Sequence, residues 1–238
     1  FGIKPTHSET GYGYLELSKD PIDDNGTSDL NRFVEKPNLR DAKQMLEDGN
    51  YLWNAGIFLF RAQDMVDAQI KLGVNVMTAH WEFTYGAERV QEIIENDLAN
   101  VGLEFVAQNV RDTDFEDPVF PAYVIREING HAIAIIGQAF PYTPIANPRY
   151  MMSDWSFGIQ EELIRDNVKA ARQNGADLVV LASHNGFNVD RKLASRVNGI
   201  DVILTGHTHD AIPGVIKVNN TLLIATGSHG KFLGRLDL

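Results

Sequence analysis

No cysteine occurs among the 238 residues. Disulfides, thiolate metal sites and cysteine nucleophiles are thereby excluded, while the compartment is left open. Long apolar runs are also lacking: no stretch approaches the roughly 20 residues of a membrane-spanning helix. Nor is there a basic run. Lys and Arg number 21 against 32 Asp and Glu, for a formal net charge of −11, which argues against a nucleic-acid partner or an anionic membrane surface. The chain starts at Phe1 with neither an initiator methionine nor a signal-peptide pattern, and so reads as the interior of something longer. What is present is apolar material, 44% of residues, enough for one large domain or two small ones.

Glycines and asparagines punctuate the chain. "NLRDAKQMLEDGN" has helical periodicity, with Asn38 as N-cap and Gly49 past the C-terminus. "GYGYLEL", "RFVEKP" and "AGIFLF" read as strands, and "AQDMVDAQIKLG" as an amphipathic helix ended by Gly73. Further on, "ERVQEIIEND" looks helical and "LEFVAQNV" strand-like, and "YVIREINGHAIAIIGQAF" is a hairpin turning at Asn129-Gly130. "GIQEELIRDNVKAARQNG" is a helix stopped by Gly175. "DLVVLASHNG", "DVILTGHTHD" and "TLLIATG" are buried strands that deliver polar residues at their carboxyl ends. Strands alternating with helices predict an α/β sandwich, with chemistry collected at those ends.

Histidine is scarce, seven in all, and its placement is uneven. His207 and His209 stand one residue apart after an apolar run, and on a strand residues i and i+2 share a face. His184 ends the preceding apolar strand in the same way. His80, in "MTAHWEFTYG", follows the apolar "GVNVM". A single histidine in such a place usually serves structure. Three segment ends each carrying one, with a doubled His-x-His, point instead to a divalent metal. Imidazole suits zinc, manganese or iron.

These residues carry a resemblance. "LASHNG" followed by "GIDVILTGHTHD" is similar to the second half of the calcineurin-like metallophosphoesterases of the 5′-nucleotidase family. "LGVNVMTAHWEFTYG", "GQAFPYTPIANPRY", "SFGIQEE" and "ATGSHGKFLGRLDL" resemble, within it, the SoxB thiosulfohydrolases of bacterial sulfur oxidation. The resemblance implies a two-metal centre, commonly manganese, that activates water and clamps an oxyanion. It further implies a periplasmic setting and release of sulfate from a thiosulfonate on a carrier-protein cysteine, so that the partner would be a sulfur-carrier protein. His80, His184, His207 and His209 match ligand positions, and Asn185 and Trp81 match positions beside the substrate. Trp81 falls where ordinary phosphoesterases carry a histidine of their "GNHE" motif. His229 falls where this group usually shows asparagine. The family's first ligands, in an Asp-x-His motif and in an aspartate that bridges the metals, have no counterpart here: none of the seven histidines follows an aspartate by two.

The amino-terminal stretch resembles another family. "FGIKPTHSETGYGYLEL" and "RFVEKPNLRDAKQMLEDGNYLWNAGIFLFRA" are similar to mannose-1-phosphate guanylyltransferases. That resemblance places Gly13 along a nucleotide-sugar cleft, Glu35 and Lys36 at sugar and phosphate, and Asn54 with Gly56 at the sugar. The phosphate-cradling glycine-rich loop and magnesium aspartate of that family are absent from these residues. The join falls in "FLFRAQDMVDAQIKLG". The expected organisation is a nucleotidyltransferase α/β fragment over 1–62, then an incomplete metallophosphoesterase-type α/β sandwich over 63–238. Three readings stay open: a hydrolase, a nucleotide-sugar transferase, and a fusion without catalytic function.

Overall fold

The structure, a computed structural model, describes residues 1–18, 27–55, 62–228, 232 and 234–238. The chain divides into two compact units, 1–65 and 66–238.

The first unit holds β1 (Gly2–Ile3), β2 (Gly13–Leu17), β3 (Leu30–Glu35), α1 (Leu39–Asp48) and β4 (Tyr51–Asn54). The strands form an antiparallel sheet in the order β1-β4-β2-β3. Helix α1 begins and ends where its sequence dictates. The Asn38 side chain accepts a hydrogen bond from the Asp41 amide, and Gly49 closes the helix at φ 74°, a left-handed conformation that glycine adopts without a Cβ clash. Asn38→Ala should therefore destabilise this unit by about 1 kcal/mol, read from a urea melt. The expected strand "AGIFLF", residues 55–60, lies outside the described residues except for Ala55. Burial here is thin: Tyr14, Ala42, Met45, Tyr51 and Trp53 form the core, with Val34 packed against it.

Helix α2 (Ala62–Lys71) follows, and Gly73 adopts φ 74° two residues past its end. The second unit then runs through β5 (Val76–Met77), α3 (Ala87–Glu92), β6 (Glu104–Phe105), β7 (Arg111–Asp112), β8 (Tyr123–Ile128) and β9 (His131–Gln138). It continues with α4 (Thr143–Ala146), β10 (Trp155–Ser156), α5 (Glu161–Gln173) and β11 (Leu178–Ser183). It ends with α6 (Phe187–Ala194), β12 (Val202–Thr205), β13 (Ile216–Val218) and β14 (Thr221–Ile224). Its six-stranded sheet has the order β13-β14-β12-β11-β9-β8. Strands β9, β11, β12 and β14 are parallel neighbours, joined by α5 and α6 as crossovers, and a hairpin at each end adds an antiparallel edge. The first hairpin turns where expected, with Asn129 at φ 53° and Gly130 at φ 80°, the two positive φ values of a type I′ turn.

Why this sheet assembles is visible in its alternation. Val179, Leu181, Ile136, Ile203 and Leu223 face α5 and α6 and are buried with Ile164, Val168 and Leu193. The opposite face, with Ile133, Ile135, Val180, Leu222 and Ile224, is only partly covered, and Leu204 there is 44% exposed. A parallel sheet normally buries both faces; here helices cover one. A second core surrounds Phe83, Phe105, Phe120 and Trp155, whose rings meet edge-on or tilted at 4.9–6.3 Å.

One expected strand is largely something else. Of "LEFVAQNV" only Glu104–Phe105 pair as a strand, with β5, while residues 106–110 are buried without strand pairing of their own. They earned a strand pattern by being apolar and enclosed, and their polar members are held by side-chain bonds instead. Asn109 donates to the carbonyls of Ala139 and Gly158 at 2.9 and 2.8 Å and accepts from the Ala139 amide at 2.9 Å. Val106 lies directly over Gly137, where a Cβ would come within 2.0 Å of its carbonyl oxygen.

Candidate metal centre

Strands β11 and β12 are adjacent and parallel, with Ser183 opposite Thr205, as their buried patterns and short linking helix require. His184 follows the first strand directly, and His207 lies just beyond the second. A third imidazole arrives from the segment after β5, where Thr143 Oγ1 donates to the His80 carbonyl at 3.2 Å and to that of Phe140 at 2.9 Å. One nitrogen from each of His80, His184 and His207 falls within 4.8 Å of the others. Ring centroids are 4.5 Å apart for His80–His184, 4.8 Å for His80–His207 and 5.3 Å for His184–His207. Phe140 stacks on His207 at 4.2 Å, and Trp81, half exposed, lies 4.7 Å from His80.

The i, i+2 strand argument for His207 and His209 does not describe the local geometry. Strand β12 stops at Thr205, and both histidines lie past it in left-handed backbone, at φ 78° and 59°. Such a conformation costs a non-glycine residue about 1–3 kcal/mol and is concentrated at functional sites. His207 turns into the cluster. His209 is exposed and lies outside the group of three. Asn185 is 3% exposed, and its amide donates to Asp190 and accepts from Gln138, so it belongs to the framework under the cluster. His229 and Gly56 lie outside the described residues.

The electrostatics suit a cation. Burial, reinforced by neighbouring histidines, pulls the pKa of His80 from 6.5 down to about 4 and that of His184 down to about 3. Burial and His209 lower His207 as well. The imidazoles are thus neutral at pH 7, the form that binds metal. His80 Nε2 and His207 Nδ1 are buried and have no hydrogen-bond partner among the described residues, as a metal-ligating nitrogen would be without its ion. At about 2.1 Å per bond, nitrogens held tetrahedrally by one zinc ion would lie about 3.4 Å apart, so from within 4.8 Å of one another an inward shift of each ring by under about 1 Å would let all three bind one ion. The residues fit a divalent metal. In the metal-free protein the same shifts set acid sensitivity. Their folded pKa values lie below the unfolded 6.5, so stability is full above pH 6.5 and falls as protons bind the unfolded chain preferentially. Thermal melts of metal-free protein should drop steeply between pH 6.5 and about 4, and His184→Asn should flatten that slope.

In the first unit, Gly13, Glu35, Lys36 and Asn54 gather at one end of the sheet. Gly13 pairs with Glu35, and a Cβ on Gly13 would meet the Glu35 carboxylate at 2.8 Å. Lys36, at φ 44°, brings its amine to 3.9 Å from Glu35. Trp53 pairs with Tyr14, which leaves Asn54 at the same end. The rings of His7 and Tyr12 meet Trp53 edge-on at 5.0 and 5.2 Å, a contact between segments distant in sequence.

The nucleotidyl transferase family matches residues 1–79. Mannose-1-phosphate guanylyltransferase of Escherichia coli is 48% identical over 65 residues, 26% of this chain and 14% of that enzyme. The remainder has solved neighbours of another kind. Sulfate thiohydrolase SoxB of Thermus thermophilus superposes with a TM-score of 0.65 at 41% identity, covering 70% of this chain and 30% of that one. The chain joins pieces similar to two families. Calcineurin-like phosphoesterase YfkN of Bacillus subtilis, at 17% identity and a TM-score of 0.54, shares the fold and is covered over 58% of its length. The architecture is therefore mixed α/β of the calcineurin-like phosphoesterase type, preceded by a nucleotidyltransferase fragment. The chain spans under a third of SoxB and about a seventh of the curated guanylyltransferase.

Proposed function

We propose that the second unit is a metal-dependent hydrolase acting on a tetrahedral oxyanion ester, with His80, His184 and His207 as ligands and His209 at the rim. The convergence of three neutral imidazoles on one point carries this reading. A divalent ion held there supplies Lewis acidity toward a sulfonyl or phosphoryl oxygen and makes water a better nucleophile. Beside it, Phe140 stacks on His207, and Trp81 offers a flat apolar surface where a phosphomonoesterase would offer a histidine. That substitution favours a thiosulfonate over a phosphomonoester. On the SoxB likeness, the substrate would be a cysteine S-thiosulfonate on a periplasmic sulfur-carrier protein, with sulfate released. Three imidazoles with no carboxylate beside them among the described residues favour zinc, although manganese is the ion that the resemblance implies.

The test compares hydrolysis of a thiosulfonate-loaded carrier protein with that of p-nitrophenyl phosphate by zinc- and manganese-loaded chain. Sulfate release that is faster than phosphate release, and lost in His207→Ala, supports the reading; phosphate release with no sulfate overturns it. A nucleotidyltransferase reading has the match to residues 1–79 in its favour, but these residues contain no phosphate-cradling loop.

A further inference from the structure

Of the three clustered histidines, two stand at the sheet and one does not. His184 follows β11 directly, and its amide donates to the Gln138 carbonyl at the end of β9 at 2.8 Å. His207 lies two residues past β12. His80 belongs to neither a strand nor a helix: it lies between β5 and a 3₁₀ turn over Glu82–Tyr85. Bonds to peptide groups set its place. The Glu82 carboxylate accepts from the His80 amide at 2.6 Å, and the Phe140 amide donates to the Ala79 carbonyl at 3.1 Å. The hydroxyl of Thr143, which has no exposed surface, reaches the carbonyl of His80 at 3.2 Å and that of Phe140 at 2.9 Å. Phe140 in turn neighbours all three imidazoles. Its ring stacks on His207 at 4.2 Å and stands edge-on to His80 at 4.7 Å and to His184 at 6.3 Å. What holds the His80 backbone to the Phe140 backbone therefore sets where the third imidazole stands relative to the other two.

We propose that Thr143 is a positioning residue whose buried hydroxyl fastens the His80 peptide to that of Phe140, and so sets the distance of the His80 imidazole from His184 and His207. The bond to Phe140, three residues back, is the local side-chain-to-backbone bond that threonine commonly makes. The bond to His80 spans 63 residues and has no such local explanation. A hydroxyl carries one proton; the two carbonyls share it, so both must stay within its reach. Valine at this position would fill the same space but leave the His80 carbonyl without this donor. The imidazole is carried on that peptide, and a looser peptide lets the ring drift from the spacing that one ion requires. Supporting groups that orient a metal ligand typically change metal affinity by about 10–100-fold when removed.

The proposal rests on the metal-centre reading for its purpose, but its test has an arm that needs no metal. In metal-free protein, Thr143→Val should shift or broaden the imidazole NMR signals of His80 more than those of His184. Titrated with cobalt, the same variant should bind the ion at least about tenfold more weakly and show an altered visible absorption band. Thr143→Ser, which keeps the hydroxyl, should recover most of both. Val168→Ala, in the core against α5, serves as a control for lost stability and should move neither. If Thr143→Val does not fold, Thr143→Ala, which removes the hydroxyl and crowds nothing, is compared with Thr143→Ser, and the same difference is expected between them. His80 signals or cobalt affinity unchanged by loss of the hydroxyl, changed equally by Val168→Ala, or not recovered in Thr143→Ser would overturn the proposal. Failure of the unmodified chain to bind cobalt would instead overturn the metal centre, leaving the NMR arm to decide the role of Thr143.

Discussion

Titrated with zinc and dialysed, the chain should retain one equivalent and not two. No aspartate or glutamate oxygen joins the group of His80, His184 and His207 among the described residues. Three imidazoles bring no negative charge. At about 4 Å and an effective dielectric near 20, two unit charges repel by about 4 kcal/mol and two divalent ions by about four times that. A bridging carboxylate is what relieves such repulsion in a two-metal centre. One ion faces no such term, and its affinity is shared among few ligands. His184→Ala or His207→Ala should then weaken zinc binding about a hundredfold or more, given that four ligands together supply about 10–16 kcal/mol in structural zinc sites. Hydrolysis by the singly loaded chain should run orders of magnitude below that of a two-metal enzyme, because half of the oxyanion clamp is gone. Two equivalents retained after dialysis would overturn the single-ion reading.

Gly137→Ala should be the most damaging single methyl in the second unit. The added carbon would sit 2.0 Å from the Val106 carbonyl oxygen and 2.7 Å from its side chain. A backbone carbonyl cannot swing aside as a lysine tip can. Relief requires residues 106–110 to lift from the sheet, and with them the Asn109 bonds to Ala139 and Gly158 and the Gln108 bond to Gln138. Overpacking costs about 1–3 kcal/mol where side chains can adjust, and here about 3 kcal/mol or more is expected in a urea melt. A loss below about 1 kcal/mol would mean that this segment is far less tightly seated than the geometry indicates.

Much of this was legible in the sequence, for local reasons. Asn38 and Gly49 announce the ends of α1 because capping is settled by side chains within one turn, and Asn129-Gly130 announces its hairpin because few residues tolerate its φ values. Strands β11 and β12 could be read as buried and parallel from their apolar runs and linking helix, and that placed His184 near His207. What stayed hidden depends on long-range contact. Residues 106–110 have a strand's composition but a loop's bonding, set by partners distant in sequence such as Gly137, Ala139 and Gly158. The left-handed turn at His207 breaks the strand periodicity that the His-x-His spacing presupposes. Asp190 reads as one more charge on a helix; nothing in "FNVDRKLA" reveals that it points inward.

The chain order of the three histidines has a kinetic consequence. His184 and His207 sit on neighbouring strands joined by a single short helix, whereas His80 enters from a segment far upstream, held through Thr143 and Phe140. Local contacts form early and distant ones late, because loop-closure entropy must be overcome first. The sheet with its two histidines should therefore exist before the third docks, as a half-built site able to take up metal weakly. An ion captured at that stage would gain its third ligand only as the aromatic core around Phe83 closes. Metal supplied during refolding and metal supplied afterwards would then meet different proteins, the first open and quick to exchange, the second enclosed and slow.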